Sequence, residues 1–254
     1  MSLQTNMTRK TTKTRFDNLV TQAKSITITA HIRPDPDALC AMLATYRYIK
    51  KKHSKKNVRM AITGNPLLRY VEKFKDSAKI NWVEDIAGEL KKTDLIIFLD
   101  GNAIYRFSNK PEAIGLLSIK SICIDHHVSL TSDHFTLDLS DRNSAATCQI
   151  IAETLLKNHR VDTESAEILL LGILSDTGNF SHVNPRTAAV LITAYKLVTE
   201  GKVEIQELQS LVAAQTKEEV EIVKILLQNS FYAKFKDKPN LMYSYLPTGL
   251  PYTE

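Results

Sequence analysis

The sequence has few cysteines and no long apolar run, and both shortages limit what the chain can be. Its three cysteines are Cys40, Cys123 and Cys148, and no two have the CxxC spacing of a zinc ribbon or a redox motif. Their odd number and wide spacing predict no disulfide framework and favour a reducing compartment. No apolar stretch approaches the roughly 20 residues that span a bilayer, and the polar N-terminus lacks a signal-peptide segment. These shortages predict a cytoplasmic protein without a membrane partner.

Charge of one sign is also not in large excess, since 33 Lys and Arg face 28 Asp and Glu, for a formal net charge of +5. A mild positive charge helps to attract an anionic substrate such as a nucleotide, but is weak evidence for one. The basic run at residues 50–56 (KKKHSKK) closes a predicted helix, where the macrodipole favours cations. We therefore favour a solvated helix end over a binding patch for this run.

Predicted strands alternate with predicted helices through most of the chain. The run 94–100 (DLIIFLD) is apolar throughout, which is typical of a parallel strand covered on both faces. The alternation predicts an α/β fold with a doubly wound, mostly parallel sheet. The predicted strands lie at 25–31, 58–63, 94–100 and 121–125, and the predicted helices at 38–52, 67–75, 146–157, 164–175 and 187–200.

The C-terminal quarter changes character and predicts a different organisation. Residues 204–228 are expected to form one long or two short helices, followed by strands at 231–235 and 241–246. Two strands alone do not make a stable domain, so they either pack on the main domain or begin a second one. The predicted segments are a flexible basic tail at 1–15, the main domain at 16–200, a helical linker at 201–230 and a partial small α/β domain at 231–254.

Acidic and imidazole residues follow three of the predicted strands. Because the carboxyl ends of parallel strands share one edge of a sheet, these side chains are expected to meet in one crevice. A further aspartate ends an apolar predicted helix before a Thr-Gly turn and can point into the same crevice. The residues are His31, Asp35 and Asp37 after the first strand, Asp100 after another, Asp125, His126 and His127 after a third, and Asp176 at the helix end.

Such a cluster of carboxylates predicts a cation, because the unpaired negative charge would repel itself. Carboxylate and imidazole ligands without thiolate suit manganese or magnesium better than structural zinc, and the histidines favour manganese. Each residue also has a structural alternative when taken singly: Asp100 would end a strand, Asp37 would cap a helix and His31 would be a core histidine. Taken jointly and in this order, the residues predict a metal site.

Four motifs resemble those of the DHH phosphoesterase superfamily. They are residues 31–38 (HIRPDPDA), the aspartate and arginine of 100–107 (DGNAIYRF), residues 125–127 (DHH) and residues 175–178 (SDTG). The resemblance covers roughly residues 15–190. The SDTGNF sequence and the long linker helix look most like the branch of NrnA-type nano-RNases and phosphoadenosine-phosphate phosphatases.

The resemblance implies a role for each acidic or imidazole position. Two Mn²⁺ ions, or Mg²⁺ in their place, would be bound, and Asp125 would orient the neighbouring histidines. His127 would face the substrate phosphate. The implied metal ligands are His31 and Asp35 for one ion, Asp37, His126 and Asp176 for the other, and Asp100 as the bridge.

The implied reaction is hydrolysis of a phosphoester by in-line attack of a metal-bound hydroxide. His127, Asp100 and Arg106 would be the catalytic residues, while Arg33 would join His127 and Arg106 in binding substrate. An ordinary exposed side chain is the alternative for both arginines, and residues 144–147 (SAAT) are expected to cap a helix.

The implied substrates are short oligonucleotides or 3′-phosphorylated nucleotides. The alternatives are an exopolyphosphatase, a pyrophosphatase, a cyclic-dinucleotide phosphodiesterase and a non-catalytic nucleotide-binding module, and a homodimer is compatible with all of them.

The chain departs from the family pattern in two places. Pro36 stands where the family usually has glycine, and Cys40-Ala41 where it often has Gly-Ser. Proline fixes φ and removes an N–H, so the loop is expected to be stiffer while metal ligation survives. A Gly-Gly-Gly-His substrate loop is missing after residue 200. We therefore expect a truncated or naturally reduced member with an intact metal site and a weakened grip on substrate.

Overall fold

The computed structural model describes residues 3–64, 69–91, 93–115, 118–127, 135–156, 161–233 and 241–247. The strands are β1 (Ser25–Ala30), β2 (Asn57–Thr63), β3 (Ile80–Val83), β4 (Leu95–Leu99), β5 (Lys120–Ile124), β6 (Leu137–Asp138), β7 (Ser230–Ala233) and β8 (Leu241–Ser244). The helices are α1 (Leu3–Gln22), α2 (Pro36–Lys52), α3 (Ala87–Leu90), α4 (Pro111–Gly115), α5 (Thr147–Thr154), α6 (Thr163–Asp176), α7 (Ala189–Gly201), α8 (Ile205–Ala213) and α9 (Lys217–Gln228). None of these described helices is long and apolar enough to cross a membrane.

Six parallel strands form the central sheet, in the order β3-β2-β1-β4-β5-β6. The chain leaves β1 towards one side of the sheet and returns at β4 on the other, so the switch in strand order falls between these two neighbours. Ligands of open α/β sheets bind in the crevice at such a switch point. The predicted α/β fold with a doubly wound parallel sheet is confirmed.

Helices cover both faces of the sheet because β4 and its neighbours are apolar on both sides. Ile97 and Leu99 belong to the larger core cluster, which also contains the buried faces of α2, α5 and α6. Ile96 and Phe98 point the other way, into a smaller cluster that includes Phe107. Successive residues of a strand face opposite sides of a sheet, so this continuous apolar run fills two cores at once.

The N-terminus corrects one expectation, since within the flexible tail predicted for residues 1–15 the described residues, from Leu3 onwards, belong to α1. Phe16 and Val20 of α1 are fully buried in the larger core. The Tyr48 hydroxyl donates a 2.6 Å hydrogen bond to Asp17, and Lys13 Nζ donates to the carbonyl of Leu155 at 2.6 Å. Apolar burial and these bonds hold the C-terminal half of the helix. Because helix formation is cooperative, this half also favours helix in the residues that precede it.

Smaller differences concern short elements. The helix predicted at 67–75 falls partly outside the described residues, and its described part, 69–75, forms successive turns. These turns close i+3 bonds such as Phe74 N to Val71 O (3.0 Å). The short strands β3 and β6 were not predicted. Both lie at the edges of the sheet, where a few residues are enough to add a strand.

Residues from Ala213 onwards form a separate compact unit. Within it, α9 begins at a capping box in which Thr216 and Glu219 bond to each other's backbone N–H. Strands β7 and β8 pair antiparallel, with Phe231 opposite Tyr243 and their rings stacked. The two predicted strands are thus present, and residues 204–228 contain two short helices, one of the two arrangements predicted for them. The boundaries of the four predicted segments remain a prediction.

Candidate metal centre

The register of three adjacent strands brings the first motif residues to the same level of the sheet. Ala30 of β1 pairs with Leu99 of β4, and Leu99 pairs with Ile124 of β5. The next residue of each strand is therefore His31, Asp100 or Asp125. All three residues therefore lie at the carboxyl edge, and His31 and Asp100 follow the two strands that flank the switch in strand order.

Asp100 lies at the centre of this edge in an unusual backbone conformation. Its φ is +59°, in the left-handed region that aspartate tolerates better than most residues. Its N–H still donates to Ile124 O at 3.0 Å, which holds the turn against β5. The carboxylate is completely buried, and Oδ1 accepts a 2.8 Å hydrogen bond from the Thr147 hydroxyl.

The loop after β1 places Asp35 and Asp37 on the same side. Asp35 rather than Asp37 is the N-cap of α2, because Asp35 Oδ1 accepts from the Ala38 N–H at 2.9 Å. Its other oxygen, Oδ2, lies 3.8 Å from His31 Nε2. Pro36 occupies the first turn of α2, where a missing N–H costs nothing. The capping role and a ligand role for Asp35 are therefore compatible.

Asp37 is fully buried and faces the N-terminus of α5. Its oxygens accept hydrogen bonds from the N–H groups of Thr147 (2.6 Å) and Cys148 (3.1 Å). An anion at a helix N-terminus is stabilised by these free N–H groups. The side-chain cap expected from residues 144–147 is not made: the N-cap is Ala146, without a side-chain hydrogen bond, and Asp37 supplies the acceptors instead.

Helix α6 approaches this site closely because residue 172 is glycine. A Cβ at Gly172 would lie 2.5 Å from Cys148 Sγ and 2.6 Å from Asp37 Oδ1, distances that real side chains do not adopt. The close approach lets the end of α6 carry Asp176 to the crevice. There Asp176 Oδ2 lies 2.9 Å from His126 Nε2.

The six predicted ligands fall into two groups, and Asp100 lies between them. His31 Nε2 lies 3.3 Å from Asp100 Oδ2, and His126 Nε2 lies 3.5 Å from Asp100 Oδ1. The two oxygens of Asp100 therefore face opposite neighbours. In each group the ligand atoms lie within 4.8 Å of one another: His31, Asp35 and Asp100 in one, and Asp37, His126 and Asp176 in the other. A third set that meets the same limit, Asp100, His126 and His127, shares one residue with each of them.

Several buried polar atoms of this site form no hydrogen bond in the described part of the chain. They are His31 Nε2, His126 Nε2, Asp100 Oδ2 and Asp125 Oδ2. Buried polar atoms are nearly always paired, and an unpaired one costs roughly 1–3 kcal/mol. Three of these atoms belong to the two ligand groups, so the donor set fits divalent cations in chemistry and in position.

The pKa values of the site show the same imbalance of charge. Burial and the Asp100 and Asp35 carboxylates raise the pKa of Asp176 to about 8. Burial and the nearby Asp176 and Asp100 raise the pKa of Asp37 well above its usual range. Burial opposes the charged form of His31, yet Asp100 and Asp35 outweigh it and raise its pKa to about 10. Protons thus offset the crowded carboxylates when no cation does.

His127 differs from the other residues of the site in its exposure. Its side chain is 38% exposed, and its Nδ1 donates to the buried Asp125 Oδ1 at 2.8 Å. This bond orients the ring and leaves Nε2 directed away from Asp125. His127 Nδ1 also lies 3.7 Å from Asp100 Oδ1.

Neither predicted arginine joins the carboxylates by an ion pair within the described residues. Arg33 is exposed, with a φ of +56°. Arg106 is half-buried, and its carbonyl accepts a 2.7 Å hydrogen bond from Ile32 N–H. Arg106 therefore links the first and second motifs through its backbone.

The structure adds residues that the sequence reasoning missed. A cleft of about 230 Å³ opens beside His126, His127 and Asp176, and Arg142 and Arg186 line it. His182 lines the same cleft. In the sequence, the two arginines were marked only by their positions: Arg142 comes just before residues 144–147, and Arg186 comes ten residues after Asp176. Neither position indicates on its own that the side chains converge.

Comparison with known proteins adds independent findings. The model of the DHH family, N-terminal domain, matches residues 25–173. The probable bifunctional oligoribonuclease and PAP phosphatase NrnA of Streptococcus mutans is 27% identical over 172 residues, which cover 66% of this chain and 51% of that protein. The bifunctional oligoribonuclease and PAP phosphatase NrnA of Mycoplasma genitalium is 25% identical over 195 residues, covering 74% and 58%.

A solved structure has a similar fold. An exopolyphosphatase-related protein from Bacteroides fragilis matches with a TM-score of 0.74 and 20% identity, over 90% of this chain and 67% of that one. The chain spans about half the length of the curated relatives it matches.

Proposed function

The chain belongs to the DHH family, as its motifs predicted, and on that premise we propose that it is a metal-dependent phosphoesterase. The observation that carries the proposal is the convergence of six carboxylate and imidazole residues, three of whose buried atoms (His31 Nε2, His126 Nε2 and Asp100 Oδ2) form no hydrogen bond among the described residues. Such a set of carboxylate and imidazole donors needs a positive charge to balance it, and no described side chain at the site supplies one by an ion pair with a Lys or Arg. The two relatives named as oligoribonuclease and PAP phosphatase support the same class of reaction.

We assign the ligands to two divalent cations, with Mn²⁺ favoured by the imidazoles and Mg²⁺ as the alternative. Two cations bound there would lower the pKa of a water and neutralise charge on the phosphate oxygens. Asp100 would serve both ions, because its two oxygens face the two groups and Thr147 fixes its carboxylate. His31 and Asp35 would complete one ion's ligands, and Asp37, His126 and Asp176 the other's.

His127 would act on the substrate instead of on a metal. The hydrogen bond to Asp125 places a proton on Nδ1 and fixes the ring, so Nε2 is available to a phosphate oxygen or to the leaving oxygen. A histidine oriented by a buried carboxylate is a common arrangement for proton transfer. Arg106 and Arg33 remain proposed substrate contacts, since Arg33 lies in the loop after β1 and Arg106 ends a short 3-10 helix after β4.

The substrates we propose are short oligonucleotides and 3′-phosphorylated nucleotides. The experiment is to compare the turnover of diadenylate, adenosine 3′,5′-bisphosphate and polyphosphate by the Mn²⁺-loaded chain, with Asp100→Ala as the control. We expect release of a mononucleotide or phosphate from the first two and none from the control. Preferential turnover of polyphosphate would contradict the proposed substrate class, and binding of Mn²⁺ and nucleotide without any turnover would indicate a non-catalytic module.

A further inference from the structure

The cleft beside the metal centre has a charge opposite to that of the centre itself. Arg142, His182 and Arg186 line it, together with His127 from the metal centre, and its acidic lining residue is Asp176. Asp176 is one of the proposed metal ligands, so a bound cation would neutralise it. The cleft therefore offers two guanidinium groups and two imidazoles to a ligand that also touches the metal centre.

We propose that this cleft binds a second phosphate group of the substrate, one that is not cleaved, and that Arg142 and Arg186 hold it. The inference rests on the proposed function, because it places the cleaved phosphate at the metal centre. It assigns a specificity role to residues outside the four family motifs.

The wall of the cleft after α6 is built by an uncommon turn. Gly178, Asn179 and Phe180 all have left-handed backbones, with φ values of 53°, 54° and 70°. Such a conformation costs a non-glycine residue roughly 1–3 kcal/mol unless its surroundings hold it. Here Asn179 N–H donates to Leu174 O at 2.8 Å, Phe180 N–H donates to Thr177 Oγ1 at 3.0 Å, and the Phe180 ring packs on the core.

This turn fixes the position of His182. A Cβ at Gly178 would lie 2.7 Å from Cε1 of the His182 ring, so the ring lies directly over the glycine. The His182 N–H also donates to Thr177 O at 3.0 Å. Strain held in place beside a reactive site is typical of functional segments, and here it sets one side of the cleft.

Both arginines project from fixed backbone turns. Arg186 N–H donates to Asn184 Oδ1 at 3.0 Å. Arg142 precedes Asn143, whose N–H donates to Asp141 Oδ1 at 3.0 Å. Both side chains are exposed, and no ion pair joins either guanidinium to a carboxylate among the described residues. Their charges are therefore available to an anion in the cleft.

The chemistry and size of the cleft favour a phosphate group. Guanidinium groups bind phosphate oxygens in pairs of parallel hydrogen bonds. The volume of about 230 Å³ lies below the roughly 300 Å³ at which sites for whole drug-sized ligands begin. We infer that a phosphate and part of its sugar enter while the base stays outside. The second phosphate would come from a nucleoside bisphosphate or from the phosphorylated 5′ end of an oligonucleotide.

The test compares substrate pairs that differ by one phosphate. One pair is adenosine 3′,5′-bisphosphate and adenosine 3′-monophosphate, and the other is 5′-phosphorylated and unphosphorylated diadenylate. KM and kcat are measured for the Mn²⁺-loaded wild type and for Arg142→Gln/Arg186→Gln. Lys75→Gln/Lys196→Gln is the control, since it removes the same charge from exposed positions outside the cleft.

We expect the arginine variant to raise KM about tenfold or more for the member of a pair with the extra phosphate, through the loss of hydrogen bonds to a charged group. KM for the other member, kcat for both, and all constants of the lysine control should stay within about twofold. The pair that responds identifies the source of the second phosphate. Equal effects on both members of each pair, or no effect on either, would overturn the proposal.

Failure of the proposed phosphoesterase activity can be distinguished from failure of the cleft to bind a second phosphate. If the wild type hydrolyses none of the four compounds, calorimetry with the same compounds and variants measures binding directly. Tighter binding of the extra phosphate that disappears in the arginine variant would support the cleft without catalysis. Binding that ignores the extra phosphate would overturn the cleft as well.

Discussion

The amino and carboxyl ends of the central sheet both carry charged side chains, and they differ in how those charges are paired. At the amino end, Lys56 Nζ donates to the carbonyls of Thr21 (2.9 Å) and Ala23 (2.6 Å). Lys52 Nζ lies 2.7 Å from Asp17 Oδ2. At the carboxyl end, the buried carboxylates and imidazoles face one another, and several of their atoms form no hydrogen bond among the described residues.

The larger cavity lies at the amino end of the sheet, away from the proposed metal centre. The lysine-lined depression at the amino end measures about 550 Å³, against about 230 Å³ for the cleft at the metal centre. The basic run at 50–56 mostly serves as donors to nearby backbone carbonyls and to Asp17, in line with its interpretation as a helix end. Unpaired buried groups, and not volume, therefore distinguish the end of the sheet at which we propose that metal ions and substrate bind.

The largest expected effect comes from replacing Asp100, which follows β4 at the carboxyl end of the sheet. Asp94 precedes the same strand at the amino end and allows a direct comparison. Asp100→Ala removes the residue that we propose bridges both ions, so we expect activity to fall below detection. The stabilisation by Mn²⁺, about 2.7 kcal/mol at a concentration one hundred times Kd, should also be lost. Turnover and thermal unfolding with and without Mn²⁺ measure both effects.

Asp94→Ala is the matched control, because Asp94 precedes β4 at the amino end. Its carboxylate accepts from the N–H groups of Lys24 (2.9 Å) and Ser25 (2.8 Å). Losing these bonds should cost about 1 kcal/mol of unfolding free energy and leave turnover and the Mn²⁺ effect intact. Normal turnover by the Asp100 variant would remove the basis for a bridging ligand.

His127→Ala should reduce kcat by about 10²–10⁴, the usual contribution of an acid–base group. Two metals should still bind, since His127 belongs to neither proposed ligand set. Metal stoichiometry by calorimetry and kcat by product release separate the two roles. Loss of one metal in this variant would mean that the roles of His126 and His127 are exchanged.

Gly172→Ala probes the packing that brings α6 to the metal centre. The added methyl meets Cys148 and Asp37, so we expect a loss of roughly 1–3 kcal/mol in unfolding free energy and weaker Mn²⁺ binding. Gly88→Ala is the control, because open space surrounds that helical glycine and alanine favours helix by up to about 1 kcal/mol. Equal behaviour of the two variants in chemical denaturation would contradict the close approach.

Lys52→Ala should have the smallest effect. Its ion pair with Asp17 is partly exposed, and such pairs contribute about 0–1 kcal/mol. Turnover should not change, because the pair lies at the end of the sheet away from the metal centre. A large loss of activity in kinetic assays would show that the amino end takes part in function and would break the comparison.

The fold and the acidic residues were predictable because each depends on a local pattern. The run 94–100 is apolar at every position between two aspartates, and a strand of that kind is buried on both faces. Motif residues at strand ends, such as His31 and Asp100, then meet by the geometry of any parallel sheet. Which residues actually bind metal ions remains a prediction.

The remaining features depend on tertiary contacts that no local pattern contains. Helix α1 is held by the burial of Phe16 and Val20 against elements far along the chain. Arg142 and Arg186 lie 44 positions apart, yet both line the cleft, and a left-handed turn at 178–180 lies in the segment that leads to Arg186. Asp35 rather than Asp37 caps α2 because Pro36 begins the helix two residues before the periodic pattern does.

An anomalous-scattering map from a crystal soaked with Mn²⁺ tests the central claim most directly, since it needs no substrate. We predict two peaks, one among His31, Asp35 and Asp100 and the other among Asp37, His126 and Asp176, with Asp100 touching both. A map without a peak beside Asp100, or with manganese only elsewhere on the surface, would contradict the two-metal account.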